Sequence, residues 1–272
     1  MTQVLRPLTL GELLDRAFSL YRKHVLLFAG LVALPNLLVA AASIINTSTL
    51  ARNDPNLSTL LVQFAALAII GFVSMVTMSI SQAATMVAVS RLHLNEPITI
   101  AGAFAGLKGR VFRVCVLSLT LTLLTLLGLV LLILPGVFLA LRWSLAIPAA
   151  VLEGASLRQA MSRSATLIEG QYGRVFMIGV LYFLLVFIFA IAVYMPFLVG
   201  HLVTGGTLAD TPLWLDIVTD VGEFFTQCLV GPLATISIAL VYYDSRVRKE
   251  AFDLEHMLAQ LKPAPDQPVM TT

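Results

Sequence analysis

Arg142 is a guanidinium inside an apolar run, and its chemistry is the hardest in the chain to reconcile with its surroundings. On insertion scales such a group costs about 2.5–3.5 kcal/mol at a bilayer centre. It follows Gly136 by six residues, which at about 1.5 Å per residue places it roughly 9 Å from the outer end of a helix, within snorkelling reach. The functional reading is a ligand or acidic headgroup held within a helix bundle. The structural reading is an arginine that snorkels, or one that pairs with an acid such as Glu223. Acid–base chemistry would need two titratable groups converging near one membrane face, and Glu153 with Asp244 is the best pair. Arg163 and Arg246 complete the candidate polar set. Arg158, Arg163 and Arg174 form a basic group through which lipid or a partner would be captured.

Two stripes of small and hydroxylated residues add polarity to apolar runs: Ser74, Thr77, Ser81, Ala84 and Ala88 in one, Ser118, Thr122, Thr125 and Gly128 in another. Such spacing lets helices approach closely and hydrogen-bond across their interface, or lines a solute pathway. Pro35, Pro148, Pro196 and Pro232 fall inside four of the runs, where they kink helices or expose carbonyls to a substrate.

Other chemistry is missing from the pattern. There is no Gly-rich phosphate loop ending in Lys and Ser/Thr, no His-Glu-x-x-His, no Cys-x-x-Cys and no nucleophile elbow. His24, His93, His201 and His256 stand at no metal-ligand spacing, and Cys115 and Cys228 each sit in an apolar run. The expectation is therefore no metal, no cofactor, no disulfide framework and no catalytic role. Nucleic acid is not expected as a partner, because the basic excess is what membrane topology alone requires.

The elements that must position these residues follow from composition. Hydrophobic residues make up 58% of 272 and charged residues 12%, against about 25% charged in an ordinary soluble chain; mean hydropathy is +0.93. Such a chain cannot cover its own apolar surface in water. Apolar runs at about 25–45, 60–90, 114–134, 137–152, 175–199 and 221–243 predict six transmembrane helices in an all-α, polytopic fold. The fourth is short and follows the turn Leu134-Pro135-Gly136. The acidic N-terminal stretch with Glu12 and Asp15 does not read as a secretory signal, so the first run is expected to be a retained span.

All but Arg52 and Arg142 of the 17 Lys and Arg residues fall in the N-terminal segment, the second and fourth loops and the C-terminal tail. The opposite loops carry Asp54, Asp210, Asp216, Asp220 and Glu223. With six spans this places both termini in the cytoplasm, across the cell (inner) membrane. Tyr21, Tyr172, Tyr242 and Tyr243 at the expected inner boundary and Trp214 near the outer one agree with that orientation.

A short amphipathic stretch precedes each odd-numbered span. Leu10, Leu13, Leu14, Ala17, Phe18 and Tyr21 share their helical spacing with Ile100, Ala103, Phe104, Leu107 and Val111, and with Leu157, Ala160, Met161, Ala165 and Ile168. Thr9, Thr99 and Ser156 are the expected N-caps, Thr9 with Glu12 as a capping box. Gly109-Arg110-Val111-Phe112 and Gly173-Arg174-Val175-Phe176 repeat one tetrapeptide. The pattern predicts three hairpins, each preceded by a cytoplasmic interfacial helix, within a single domain over 1–261. Residues 244–261 are expected to form a cytoplasmic amphipathic helix, and 262–272 a disordered tail.

Leu134-Pro135-Gly136, Arg142-Trp143-Ser144, Pro148, Leu152-Glu153-Gly154, Arg163-Ser164, Tyr242-Tyr243-Asp244, Arg246, Lys249-Glu250 and Phe252-Asp253-Leu254 carry a resemblance. The chain resembles the bacterial membrane-domain family named after glycerophosphoryl diester phosphodiesterases, with its related uncharacterised multi-span proteins. The resemblance runs over nearly the whole chain, with its specific motifs in the second half. Some members of that family carry a phosphodiesterase barrel and others stand alone. Neither the barrel nor its His-Arg-Gly and paired carboxylates are present in this sequence, so the resemblance implies a six-span module linked to lipids or the envelope, without phosphodiesterase chemistry.

The reading that follows is a non-catalytic membrane module or scaffold engaging membrane lipids, a protein partner or a second copy of itself. The alternatives are a small-solute or lipid transporter and a membrane-embedded lipid enzyme. The transporter predicts a polar cavity at mid-depth reaching Arg142; the scaffold predicts a packed core with that guanidinium snorkelling or internally paired.

Overall fold

The computed structural model describes residues 8–50, 56–205 and 212–250. The expected tail over 262–272 and the helix beyond residue 250 lie outside the described residues. All regular structure among the described residues is helical: α1 Leu10–Lys23, α2 Val25–Leu50, α3 Leu57–His93, α4 Ile100–Ala105, α5 Val111–Leu131, α6 Ile133–Arg142, α7 Ala146–Leu152, α8 Leu157–Ile168, α9 Tyr172–Val203 and α10 Leu213–Glu250. Among the described residues, six stretches are long and apolar enough to cross a membrane, namely α2, α3, α5, Ile133–Leu152 (α6 with α7), α9 and α10.

The core explains why this is a membrane protein rather than a soluble bundle. Its fully buried side chains gather at one end, where Leu13 of α1, Phe28 of α2, Val89 of α3, Leu117 of α5, Leu167 of α8 and Tyr242 of α10 meet. Away from that end the helices turn large apolar side chains outward, among them Leu38, Phe64, Phe72, Val130, Phe183 and Phe187. An exposed apolar surface of that extent is intolerable in water and is what a hydrocarbon layer solvates.

Consecutive helices pack as neighbours, α2 on α3, α5 on α6 and α9 on α10, and α10 also lies along α2 and α3. The α5–α6 turn comes at Leu132, which is extended (φ −161°, ψ 142°), rather than at Leu134-Pro135-Gly136. Pro135 falls in the first turn of α6, where a missing N–H costs nothing. Gly136 serves the crossing instead: a Cβ there would meet the Leu129 nitrogen at 2.6 Å, and one on Gly128 would meet Gly136 Cα at 2.9 Å.

The fourth span is two helices, broken over Trp143-Ser144-Leu145. Two of the backbone groups freed by the break are met by one side chain from another helix. Ser164 of α8 donates its hydroxyl to the Arg142 carbonyl at 2.9 Å and accepts from the Leu145 N–H at 3.0 Å. The helices containing Pro35, Pro196 and Pro232 run through their prolines unbroken.

The short helices bury one face each. In α1, Thr9 and Glu12 form a capping box, and Leu13, Ala17 and Tyr21 turn inward against α10. In α8, Ser156 and Gln159 form the same motif, with Ala160, Ser164 and Leu167 inward against α7. The middle copy is shorter than the spacing predicts: α4 ends at Ala105, and the chain turns through Gly109 at φ +79° before α5. The repeated tetrapeptide therefore has two local roles. Gly109 is a left-handed turn residue, whereas Gly173 lies inside α9 and Gly170 (φ +79°) makes the corresponding turn. At the C-terminal end, α10 runs from the apolar run through Asp244 to Glu250 as one helix, because no glycine or proline separates span from tail there.

Candidate functional site

Asp244 projects from α10, with a side chain only 2% exposed, and ties three elements together. Its carboxylate accepts from the Leu8 N–H at 2.6 Å, Arg174 Nη1 at 2.5 Å and Arg248 Nε at 2.7 Å. The Leu8 carbonyl in turn accepts from Arg174 Nη2 at 2.9 Å and Arg248 Nη2 at 2.7 Å. One peptide unit and one carboxylate are thus clamped between two guanidinium forks, the geometry that gives such pairs their strength. Arg174 is held in place by Gln171 Oε1 at 2.8 Å.

Glu153, just past α7, belongs to an adjacent network. It accepts from Arg163 Nε and Nη2, each at 3.1 Å, lies 3.7 Å from Arg246 Nε and receives the hydroxyl of the fully buried Tyr242. Arg110 and Arg113, at the start of α5, donate to the carbonyls of Val151 at 2.8 Å and Gly154 at 2.6 Å. Four of the five expected polar residues, Glu153, Arg163, Asp244 and Arg246, are therefore brought to one end of the bundle. Each carboxylate is saturated by arginine and neither lines the cavities described below. A general acid or base must reach a substrate proton, and these are spent on holding helices together.

Arg142 stands apart. It is exposed at the C-terminal end of α6, has no ion pair among the described residues, and does not meet Glu223. The helix that carries it begins at Ile133, not after Gly136, and its carbonyl lies against α8.

Two cavities have the polarity to bind something. The first, of about 480 Å³, opens between α1 and the end of α3. Arg16, Lys23, His24 and His93 line it over an apolar floor of Leu92 and Leu240. Glu96, also on its rim, is neutralised by Arg91 at 2.7 Å, and His93 stacks on Tyr243 at 5.0 Å. Arg16 and Lys23 have no ion-pair partner among the described residues, which leaves the cavity cationic. Its signal in the sequence is the i, i+7 spacing of Arg16 and Lys23 on the polar face of α1.

The second, of about 370 Å³, lies between α2, α3 and α10, lined by Asn36, Ser74, Ser81, Gln82, Asp220 and Glu223 among others. It is the kind of polar cavity a transporter needs, but Arg142 is not part of it. The Ser74 stripe reaches it, and Thr77 beside it donates to the Ser74 carbonyl at 3.0 Å. Asn36, Gln82 and Gln227 went unremarked in the sequence, although amides within apolar runs were a usable signal.

The description "membrane domain of glycerophosphoryl diester phosphodiesterase" matches residues 115–267, more than half of the chain. The matched stretch includes both arginine-clamped carboxylates, whereas α1 and the cationic cavity's other basic residues precede it. No curated protein and no solved structure matches the chain.

Proposed function

We propose, from the premise that the chain belongs to the family of membrane domains of glycerophosphoryl diester phosphodiesterase, that it is a non-catalytic module of the cytoplasmic membrane. In this reading both termini are cytoplasmic, and the module binds the headgroups of anionic phospholipids on that side. The observation that carries the reading is the cavity lined by Arg16, Lys23, His24 and His93, in which Arg16 and Lys23 have no ion-pair partner among the described residues and stand beside apolar side chains. A phosphate needs the cations and an acyl chain needs the apolar floor, and the end of the bundle that holds this cavity also holds most of the basic residues. The matched family description names a membrane domain, not a catalytic one. The arginine-paired carboxylates support the same view, since each is engaged in holding helices together.

The basic group Arg158, Arg163 and Arg174 gives no clean test of lipid binding, because Arg163 and Arg174 hold Glu153 and Asp244. Arg16→Gln with Lys23→Gln removes only exposed, unpaired charge. At about 1 kcal/mol per basic residue near an anionic surface, the double variant loses about 2 kcal/mol, roughly thirty-fold in affinity. Native mass spectrometry of the purified protein titrated with phosphatidylglycerol reads this directly. Arg22→Gln, exposed on the same helix but outside the cavity, is the control. Equal retention of phosphatidylglycerol by the double variant and the control would sink the headgroup site.

A further inference from the structure

We infer that the cavity between α2, α3 and α10 is a second binding site, for a ligand that carries a primary ammonium on an apolar body. Its anionic side comes from α10, where Asp216, Asp220, Glu223 and Gln227 follow at i, i+4, i+7 and i+11 and so share one helix face. Asp220 and Glu223 line the cavity; Asp216 and Asp220 line an adjoining one of about 820 Å³, so the two spaces meet at Asp220. Thr47 donates to Asp220 Oδ2 at 3.0 Å, and no cation among the described residues pairs with any of the three carboxylates. The contrast within one helix is sharp. Asp244 on α10 is held by two arginines, while these three acids, in a stretch apolar enough to span a membrane, have none. Three carboxylates on one helix face with no counter-charge beside a largely apolar cavity are what a cationic ligand would neutralise.

An independent observation points into the same space. Ser81 of α3 lines the cavity, is 3% exposed, and its hydroxyl has no hydrogen-bond partner. A buried hydroxyl left without a partner is a rare cost in a folded protein, and it is recovered when a ligand N–H donates to it. The rest of the lining decides the ligand's body. Tyr182 and Phe224 offer aromatic rings, which attract ammonium groups, and Val39, Ile70 and Met78 offer apolar surface. A volume of about 370 Å³ is far more than a bare metal ion needs and falls in the range of small-molecule sites. The ammonium chemistry is shared by free amphiphilic amines and by the ethanolamine headgroup of a lipid.

The test uses the full chain purified in a maltoside detergent, which carries no ammonium group. Radiolabelled 2-phenylethylamine, a cation at neutral pH, is measured by equilibrium dialysis against 2-phenylethanol, its neutral counterpart. The amine is expected to bind saturably and at least tenfold more tightly than the alcohol. Asp220→Asn and Glu223→Gln are each expected to weaken it at least tenfold, and Ser81→Ala two- to fivefold. Glu223→Asp, which keeps the charge, is expected to stay within threefold of the parent, so a loss in Glu223→Gln is one of charge and not of folding. Displacement by dioctanoyl phosphatidylethanolamine but not by dioctanoyl phosphatidylglycerol assigns the site to a lipid headgroup; resistance to both assigns it to a free amine. Equal binding of amine and alcohol, unchanged affinity in both carboxamide variants, or no binding of either amine or phosphatidylethanolamine overturns the inference. The headgroup cavity at Arg16 and Lys23 is untouched by these substitutions, so the two proposals fail separately.

Discussion

At the scale of residues, the cost of burying a charge singled out Arg142, which stands exposed, whereas Glu153, Arg163, Asp244 and Arg246, named in the sequence as polar candidates, come together at one end of the bundle. What could not be read was who meets whom. Asp244 is clamped by Arg174 and Arg248, with the Leu8 peptide as third party, and a backbone carbonyl has no sequence signature. Asp244→Asn keeps the shape and removes the charge, leaving two guanidinium groups facing a neutral amide. Removing one partner of a buried ion pair costs about 3–5 kcal/mol, so the variant should lose several degrees in thermal midpoint in detergent, read by the release of native tryptophan fluorescence. Arg142→Gln should leave that midpoint nearly unchanged, because exposed side chains without partners rarely contribute more than about 0.5 kcal/mol to stability. A large loss there would show that the guanidinium holds the fold together.

At the scale of elements, helical periodicity and capping chemistry survive translation into structure wherever the signal is local. Thr9 with Glu12 caps α1 as its spacing implies, since both partners lie within one turn. The break between α6 and α7 was legible in part: Pro148 has no N–H for the Ser144 carbonyl four residues before it, but the side chain that meets the Arg142 carbonyl and the Leu145 N–H lies about twenty positions away and leaves no local signal. Ser164→Ala tests that dependence. It strands the Arg142 carbonyl and the Leu145 N–H together at a buried site, and an unsatisfied buried group costs about 1–3 kcal/mol. Gly136→Ala should be at least as damaging for a different reason, since its Cβ meets backbone that cannot move aside. Gly179→Ala in α9, with nothing within 4 Å of the added carbon, is the matched control and should leave the unfolding midpoint unchanged or raised.

At the scale of the whole molecule, the charges and the core tell one story from two directions. The basic residues that define the expected inner side include Arg163, Arg174, Arg246 and Arg248, and these same residues tie the helices together at the end where the fully buried side chains collect. The opposite ends of the spans expose leucine, phenylalanine and valine, which only lipid would cover. A helix bundle knitted at its basic end and loose in the hydrocarbon has room between α2, α3 and α10 for the acidic cavity, whereas a uniformly packed one would not. The proposed orientation, with the basic end inside, is one that labelling can check. In a protein with Cys115→Ser and Cys228→Ala, Thr204→Cys at the exposed end of α9 should react with a membrane-impermeant maleimide in intact cells. Lys108→Cys, in the exposed turn before α5, should react only after the membrane is opened. The reverse pattern would place the arginine-knitted end and its cationic cavity outside the cell, where the inner leaflet's anionic headgroups cannot reach them, and the lipid-binding proposal would fall together with the orientation.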